Sequence, residues 1–365
     1  MIVGTPEEER KGRGPEKWFL YDIVNNTRSG LDVDKLDYFQ RDARNSVGER
    51  SMDLDRFIEL ARVLPAKDQF GEMRKMICYP DKLWTEALGL FRTRMELHTF
   101  VYQHHGGKSV ELMLVDAFAE ADPFFTVPGT VNEDHPDGRW RMSEAFFDCK
   151  AYTCLKDSLV DLVMNDPHPG LAPAKAILGR LEHRDLYPCV GATECDHDAL
   201  GMSEEQTGRA MVEMLRPRVN GGGPLPPRRE KDAGGSDTEV DEEDDGAVDG
   251  ITEMLEEEDI IVDFMRVHWG LKAENPVSRL RFFSKYAPME PDTQGVRLDE
   301  DKYASFLPKV FESKKIRVFV RSSAKVDAAR RALELFCLEY GCSSPSPLLA
   351  QTGHVSPQPT TEEGG

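Results

Sequence analysis

The 365-residue sequence contains no run of about 18 apolar residues, and its first residues, MIVGTPEEERKGRG, do not have the form of a signal peptide. The first absence argues against a membrane-spanning helix, and the second against a secretion signal at this N-terminus. We therefore expect a soluble, intracellular protein. The hydrophobic fraction of 39% is sufficient for a packed core, and the length is sufficient for two domains.

Cysteine and histidine are also sparse. The seven cysteines are an odd number without a closely spaced framework, which is typical of free thiols in a reducing compartment. None of the nine histidines precedes His98. Cys189, Cys195 and His197 lie near one another, but their spacing matches no paired zinc motif. We interpret the His197-Asp198 dipeptide, which lies in a polar stretch, as part of a loop.

The net charge of −20 is concentrated in one segment. Residues 237–263 contain fourteen acidic residues and no Lys or Arg, so the rest of the chain carries about −6. A Gly/Pro-rich run precedes this segment, and we predict a flexible insert or linker over residues 201–258. The glycines at 221–223 do not resemble a phosphate-binding loop, because prolines surround them. Ser236 and Thr238 each have an acid three residues later, which is compatible with phosphorylation, although a solvated spacer is the favoured interpretation.

The following segment has the opposite charge. Residues 309–331 carry eight Lys or Arg and two acids, a net charge of +6. Within and after it, KIRVFVR at 315–321 alternates like a strand, and residues 326–341 have the period of a helix that ends at Gly341. Such a surface is compatible with binding single-stranded nucleic acid or with ordinary solvation.

Helical periodicity dominates the chain before residue 200. We predict a mainly α protein: a helical domain over 1–200, an α+β lobe over 259–343 and a disordered tail over 344–365. Residues 122–142 contain Pro, Gly and short apolar pieces compatible with a small hairpin. The predicted helices are Pro15–Asn26, Asp32–Asn45, Asp53–Val63, Lys82–His104, Lys108–Ala121, Glu144–Lys150, Cys154–Asn165 and Ala172–His183.

Two of these helices carry charged and phenolic side chains on one face. At about 100° per residue, the first places Asp34, Lys35, Tyr38 and Asp42 opposite its apolar side. The second places Arg94, His98, Tyr102 and His105 on one stripe. Two such stripes facing each other would form a polar pocket, whereas either alone is also typical of a solvent-exposed helix.

The residues around these stripes resemble the SAM-and-HD-domain deoxynucleoside triphosphate triphosphohydrolase family of animals. The resemblance depends on several blocks that occur in the family's order across most of the chain. They are FLYDIVNNTRSGLDVDKLDYFQRD (19–42), DLDRFIELARV (53–63), FRTRMELHTFVYQH (91–104), DAFAEAD (116–122), AYTCLKD (151–157), LEHRDLYPCVG (181–191), and DIIVDF with ENP (259–276).

The resemblance implies an HD-type fold that this chain enters partway. It also implies hydrolysis of a dNTP, dGTP included, to a deoxynucleoside and triphosphate by metal-activated water at the α-phosphate, with a divalent Zn, Mg, Mn or Fe ion. Asp34 resembles a metal ligand. The implied substrate-binding residues are Lys35, Tyr38, Asp42, Arg94, His98, Tyr102 and Gln103, with the Tyr102 ring excluding a ribose hydroxyl.

The resemblance further implies a nuclear homotetramer that controls dNTP pools and binds activating GTP or dNTPs. The residues that resemble activator contacts are Arg56, Lys82, His104 and Arg184. Several expected cations are replaced, at Pro80, Phe100, Pro188 and Glu274, which puts the usual activation in doubt.

The family's histidine and His-Asp metal ligands, which should precede Asp34, have no counterpart here. We therefore predict no catalytic residue in this chain and expect it alone to be catalytically incomplete. Either the sequence is an incomplete or alternatively started product of an enzyme gene, or it is a non-catalytic paralogue. The leading hypothesis is a dNTP triphosphohydrolase family member; the alternative is a protein that acts through oligomerisation or single-stranded nucleic-acid binding.

Overall fold

The structure is a computed structural model that describes residues 10, 12–46, 54–215, 255–286, 290 and 292–346. Most of the acidic segment, with Ser236 and Thr238, and residues 347–365 of the predicted tail lie outside the described residues. The chain forms two compact units: Met1–Glu111 with Met265–Lys314, and Leu112–Phe264 with Lys315–Gly365. This division differs from the predicted boundaries at residues 200 and 258, which stay predictions.

The described residues are mainly helical, with short strands. The helices are α1 (Phe19–Val24), α2 (Val33–Ser46), α3 (Leu54–Glu59), α4 (Trp84–Leu97), α5 (His105–Ala121), α6 (Cys149–Tyr152), α7 (Leu159–Asn165), α8 (Ala172–Glu182), α9 (His197–Leu200), α10 (Glu204–Leu215) and α11 (Val326–Tyr340). The strands are β1 (Arg62–Lys67), β2 (Met73–Pro80), β3 (Thr126–Pro128), β4 (Arg139–Arg141), β5 (Cys189–Glu194), β6 (Ile260–His268), β7 (Phe282–Phe283) and β8 (Glu312–Val320).

Helix α2 is positioned in the first unit by its apolar side. Asp32 begins the helix, because its Oδ1 accepts a hydrogen bond from the Lys35 backbone N–H at 3.2 Å. Phe39 and Ala43, four residues apart, are buried in a core shared with Phe91 and Leu97 of α4. This packing leaves the opposite side of α2 for polar residues.

A β-hairpin follows α3, where the sequence predicted that the helix would continue to Val63. Strand β1 instead pairs antiparallel with β2, from Arg62 opposite Cys78 to Lys67 opposite Met73. Asp68 closes the turn by accepting hydrogen bonds from the Phe70 and Glu72 backbone N–H groups at 2.8 and 3.0 Å. The prediction was wrong here because the strand is stabilised by its partner, which a local helical period does not reveal.

The long predicted helix from Lys82 to His104 is interrupted. Regular α-helix ends at Leu97, a π-helical turn occupies His98–Tyr102, and α5 begins at His105, earlier than the predicted Lys108. In the π turn the Gln103 backbone N–H donates to the His98 carbonyl at 3.0 Å. The turn changes the spacing of side chains after His98.

The second unit contains the predicted hairpin and a small sheet. Strands β3 and β4 pair antiparallel, which confirms the hairpin. In the other sheet β8 lies between β5 and β6, and its inner side packs against α11. Helix α11 ends at Gly341, whose φ of 65° is left-handed, as the sequence predicted.

Other short elements differ from the predictions. The predicted Glu144–Lys150 helix is instead a 3-10 turn at Ala145–Phe147 followed by the start of α6, and α7 begins at Leu159 rather than at Cys154. Helix α10 lies within the segment predicted to be linker. His197 begins the one-turn helix α9, not a loop, and is buried against Phe264 with ring centroids 4.6 Å apart.

No helix in the stretches that the structure describes is both long enough and apolar enough to cross a bilayer.

We predict that Phe39→Ala lowers the free energy of unfolding by about 3–5 kcal/mol, because it leaves a cavity around a fully buried ring. Phe70→Ala is the matched control, since Phe70 is 80% exposed, and it should change stability by about 0.5 kcal/mol or less. Chemical denaturation measures both. Equal losses would contradict the assignment of Phe39 to the core.

Candidate functional site

The two predicted polar stripes meet in the first unit. The Tyr102 hydroxyl donates to Asp42 Oδ2 at 2.6 Å, although the residues are 60 positions apart in the sequence. The rings of Tyr38 and Tyr102 lie edge to face, with centroids 6.2 Å apart. We call Tyr38, Asp42, Arg94, His98 and Tyr102 the α2–α4 polar face. The structure brings Tyr38, Asp42 and Tyr102 together, and their role in binding stays a prediction.

Arg94 is a half-buried cation on this face. Its Nη1 donates to the backbone carbonyl of His268, which fixes the direction of the guanidinium. Burial lowers the pKa of Arg94, and the nearby Tyr38 phenol opposes that effect. An arginine keeps its charge throughout the physiological range. Arg94 therefore places a positive charge beside the two tyrosines.

His98 is neutral near pH 7. Burial, followed by the positive charge of Arg94 and the proximity of His268, lowers the pKa of His98 to about 4. Its ring lies edge to face with Tyr102, with centroids 5.1 Å apart. A neutral imidazole has one donor and one acceptor nitrogen. His98 therefore offers hydrogen bonds without adding a second positive charge beside Arg94.

The pKa of the acid on this face is lowered, whereas the pKa values of the two phenols are raised. The hydrogen bond from Tyr102, helped by Arg41 at 3.0 Å, lowers the pKa of Asp42. Burial and the bond to Asp42 raise the pKa of Tyr102, and burial raises the pKa of Tyr38. Asp42 is thus an acceptor, and both tyrosines keep their protons.

Lys35 and Asp34 lie in the first turn of α2. Lys35 Nζ forms an ion pair with the buried Asp32 carboxylate at 2.9 Å, so part of its charge is already balanced. Asp34 is exposed. Within the residues that the structure describes, no group of three or more His, Cys, Asp or Glu is arranged to hold a metal ion. These residues do not fit the family's metal, and the Asp34 ligand assignment stays a prediction.

Gln103 follows the π turn and is held by a distant strand. Its Nε2 donates to the Arg266 carbonyl at 3.1 Å. Arg266 and His268 on β6 therefore support the site through backbone carbonyls, and sequence reasoning missed both. No local signal marks them, since the contacts join positions 163 and 174 residues apart.

Three of the predicted activator residues belong to the first unit and one to the second. Arg56 pairs with Glu86 at 3.0 Å, Lys82 is exposed on a 3-10 turn, and the His104 Nδ1 accepts the Gly106 backbone N–H at 3.1 Å. Arg184 belongs to the second unit, where it is exposed with a left-handed φ of 59°. Their role in activation stays a prediction.

The basic segment is balanced by acids from other elements of the second unit. Arg317 pairs with Asp263 at 2.6 Å, both side chains being buried, and Arg321 pairs with Asp116 at 2.6 Å. Longer pairs of 3.7 Å join Lys315 to Glu194 and Lys325 to Asp259. These contacts weaken the case for a nucleic-acid surface, because several cations already have acidic partners.

Comparison with known proteins identifies the relatives of the chain. No protein-family profile matches it. It is 30% identical over 335 residues to deoxynucleoside triphosphate triphosphohydrolase SAMHD1 of Mus musculus, which covers 90% of this chain and 45% of that protein. For the Homo sapiens protein of the same name, the identity is 30% over 358 residues, 94% of this chain and 50% of the relative. The chain belongs to the SAM-and-HD-domain triphosphohydrolase family.

This membership confirms the resemblance and the mainly helical HD-type fold. A putative HD-domain-containing protein of Acanthamoeba polyphaga mimivirus is also 31% identical over 117 residues, 32% of this chain and 24% of that protein. The chain spans about half the length of the SAMHD1 proteins it matches.

We predict that the His98 imidazole titrates at about 4 in an NMR pH series, because it is buried beside Arg94. Arg94→Met should raise this pKa, but not to 6.5, since burial is the larger cause. Arg92→Gln is the matched control, because Arg92 is exposed on the same helix, and should leave it unchanged. A His98 pKa near 6.5 in the unmodified chain would contradict the site geometry.

The lowered pKa of His98 also predicts that the folded chain loses stability in acid. The folded pKa of His98 lies below its unfolded value, so its contribution to stability is present above about pH 6.5 and is lost as the pH falls towards 4. Between about pH 6.5 and 4, the free energy of unfolding of His98→Gln should therefore fall less than that of the unmodified chain. Chemical denaturation at each pH measures both values.

Proposed function

We propose that the chain binds a deoxynucleoside triphosphate, dGTP included, on the α2–α4 polar face, as the substrate-binding part of a dNTP triphosphohydrolase. The hydrogen bond of 2.6 Å between Tyr102 and Asp42 is the observation that carries the proposal. It joins the two helices whose residues match the family's substrate contacts. A merely solvated pair of helix surfaces would not require this contact.

The cations of this face suit a triphosphate. The guanidinium of Arg94 has a planar set of donors that matches phosphate oxygens, and its anchor on the His268 carbonyl limits its movement. Lys35 supplies a second, more localised charge, shared with Asp32. We assign Arg94 the stronger phosphate contact, because among the residues that the structure describes it forms no ion pair with an acid, whereas Lys35 does.

The uncharged groups suit the sugar and the base. Tyr38 and neutral His98 are hydrogen-bond donors at physiological pH, and Gln103 is an amide next to Tyr102 in the chain. The Tyr102 hydroxyl already donates to Asp42, so Tyr102 offers its ring. The Tyr102 ring would pack against C2′ of the deoxyribose. A ribose would then bring its 2′-hydroxyl into the ring, which favours a dNTP over an NTP.

The proposed family reaction is attack of water on the α-phosphorus, which gives a deoxynucleoside and inorganic triphosphate. In this family a metal ion supplies the activated water. The described residues do not fit such an ion, and we assign it no step in this chain. Their part is to bind the triphosphate and orient the sugar.

We also propose for this protein the wider properties that the family resemblance implies. They are control of dNTP pools, a nuclear location, assembly as a homotetramer and activation by GTP or dNTPs. The replacements at Pro80, Phe100, Pro188 and Glu274 make activation the first of these to test.

We predict that Arg94→Gln weakens dGTP binding by about 10- to 100-fold, since it removes charge-assisted hydrogen bonds to phosphate. Isothermal titration calorimetry with the full chain measures the affinity. Arg92→Gln, which removes an exposed charge from the same helix, should bind dGTP like the unmodified chain. Equal binding by both variants, with Arg94→Gln shown to be folded, would contradict the proposed phosphate contact.

Assay of triphosphate release with Mn²⁺ or Mg²⁺ separates binding from hydrolysis. The sequence predicts binding of dGTP without release by this chain alone. If the unmodified chain releases triphosphate and Arg94→Gln does not, the hydrolytic activity belongs to this chain. That result would overturn the prediction that the chain is catalytically incomplete. Absence of dGTP binding would overturn the proposed function itself.

We predict that Tyr102→Ala narrows the preference for dGTP over GTP, because the ring that excludes the 2′-hydroxyl is gone. Tyr102→Phe keeps the ring and should keep the preference while losing the bond to Asp42. Competition of dGTP and GTP against a fluorescent dGTP analogue measures the ratio. Tyr152→Ala, at a 60% exposed tyrosine of the second unit, is the control. An unchanged ratio in Tyr102→Ala would refute this role.

A further inference from the structure

Three cysteines cluster at the C-terminal end of α11, in the second unit. The Cys342 Sγ donates to the Cys195 Sγ at a sulfur-to-sulfur distance of 2.7 Å. Cys337, one turn earlier on α11, is hydrogen-bonded to the same Cys342 sulfur. Cys195 follows β5 directly, so the pair joins the end of that strand to the residue after Gly341.

The two sulfurs are close to bonding distance. A disulfide has a sulfur-to-sulfur length of about 2.05 Å, so a movement smaller than an ångström would close this one. Both cysteines are partly exposed and can meet a small oxidant, whereas Cys337 is buried. The geometry therefore favours Cys195 with Cys342 over the other pairings of the cluster.

The proton arrangement favours reaction at Cys195. The hydrogen bond from Cys342 lowers the pKa of Cys195, and the same bond raises the pKa of Cys342. Of the two partly exposed thiols, Cys195 is thus the one that more readily becomes a thiolate, which is the nucleophile in disulfide exchange. The hydrogen bond with Cys342 also lowers the pKa of Cys337, to about 7, but Cys337 is buried away from an oxidant in solution. Cys342 keeps its proton until the first exchange has occurred.

The segment that follows Cys342 covers the edge of a sheet. Ser343 and Ser346 form backbone hydrogen bonds with Glu194 and Ala192, of 3.3 and 3.0 Å, along the outer side of β5. Strand β5 is an edge strand of the β5-β8-β6 sheet, and an uncovered edge is a site for unwanted pairing. Side-chain hydrogen bonds add to these: the Ser343 Oγ donates to the Glu194 carbonyl at 2.9 Å and accepts the Glu194 backbone N–H at 3.0 Å, and the Ser346 Oγ donates to the Ala192 carbonyl at 3.2 Å. A disulfide at Cys342 would add a covalent link to this set of non-covalent contacts.

We propose that Cys195 and Cys342 form a reversible intramolecular disulfide that fastens residues 342–346 to β5 when the thiol pool becomes oxidised. The oxidant is a low-molecular-weight disulfide such as oxidised glutathione. The Cys195 thiolate attacks one glutathione sulfur and releases a glutathione thiolate. The Cys342 thiolate then attacks the Cys195 sulfur of the mixed disulfide and releases the second glutathione thiolate. Each released thiolate takes up the proton that a cysteine has lost, and two cysteines are oxidised as one glutathione disulfide is reduced.

The test incubates the full chain in buffers with a rising ratio of oxidised to reduced glutathione, followed by alkylation and peptide mapping. The expected product is a peptide pair linked through Cys195 and Cys342, lighter by two hydrogen atoms and reversed by dithiothreitol. Cys195→Ser and Cys342→Ser should each abolish it. Cys149→Ser, which removes an exposed cysteine outside the cluster, should leave it unchanged.

Amide hydrogen exchange supplies the second measurement. Oxidation should slow exchange at the Ser343 and Ser346 amides in the unmodified chain and not in Cys342→Ser. The proposal is overturned if Cys195 and Cys342 stay open to alkylation when Cys149 has formed mixed disulfides. It is also overturned if the link joins Cys337 or a second chain, or if oxidation leaves exchange at these amides unchanged.

Discussion

The burial of Phe39 determines the rotation of α2 about its axis, and the rest of the candidate site depends on it. Because Phe39 and Ala43 face the core shared with Phe91 and Leu97, Tyr38 and Asp42 lie beside that core on the flank of α2, about 100° and 60° round the helix from Phe39, and Tyr38 also packs against the core. Helix α4 packs beside α2 through the same core and carries Arg94 towards that side. One apolar interaction therefore places the acid, the phenols and the cation together, without any of them supplying the driving force.

Each charged side chain of the α2–α4 polar face lies beside an uncharged side chain that can form hydrogen bonds. Arg94 keeps its charge beside a histidine that is neutral, and Asp42 is ionised beside a tyrosine that is protonated. Each group is held in the state that its neighbour favours. This arrangement suits a ligand that has a highly anionic end and a weakly polar end, as a nucleotide has.

Several of the helices and one hairpin could be predicted from the sequence, because they depend on the local repeat of apolar residues and on turn residues. The helix around Tyr38, the helix after Val326 and the small hairpin near Thr126 were predicted correctly. The β1–β2 hairpin was missed, since its strands are stabilised by each other. The π turn at His98 was also missed, because no residue type encodes it strongly.

By itself the sequence determined the family, the mainly helical fold and the identity of the stripe residues, since these depend on residue order and on the helical repeat. Only the tertiary structure decided which groups meet. It joined Tyr102 to Asp42 and Arg94 to a carbonyl of His268, gave the cations of the basic segment acidic partners, and brought Cys195 to Cys342. These contacts link residues that are 54 to 205 positions apart, and such pairs form only when a whole chain packs.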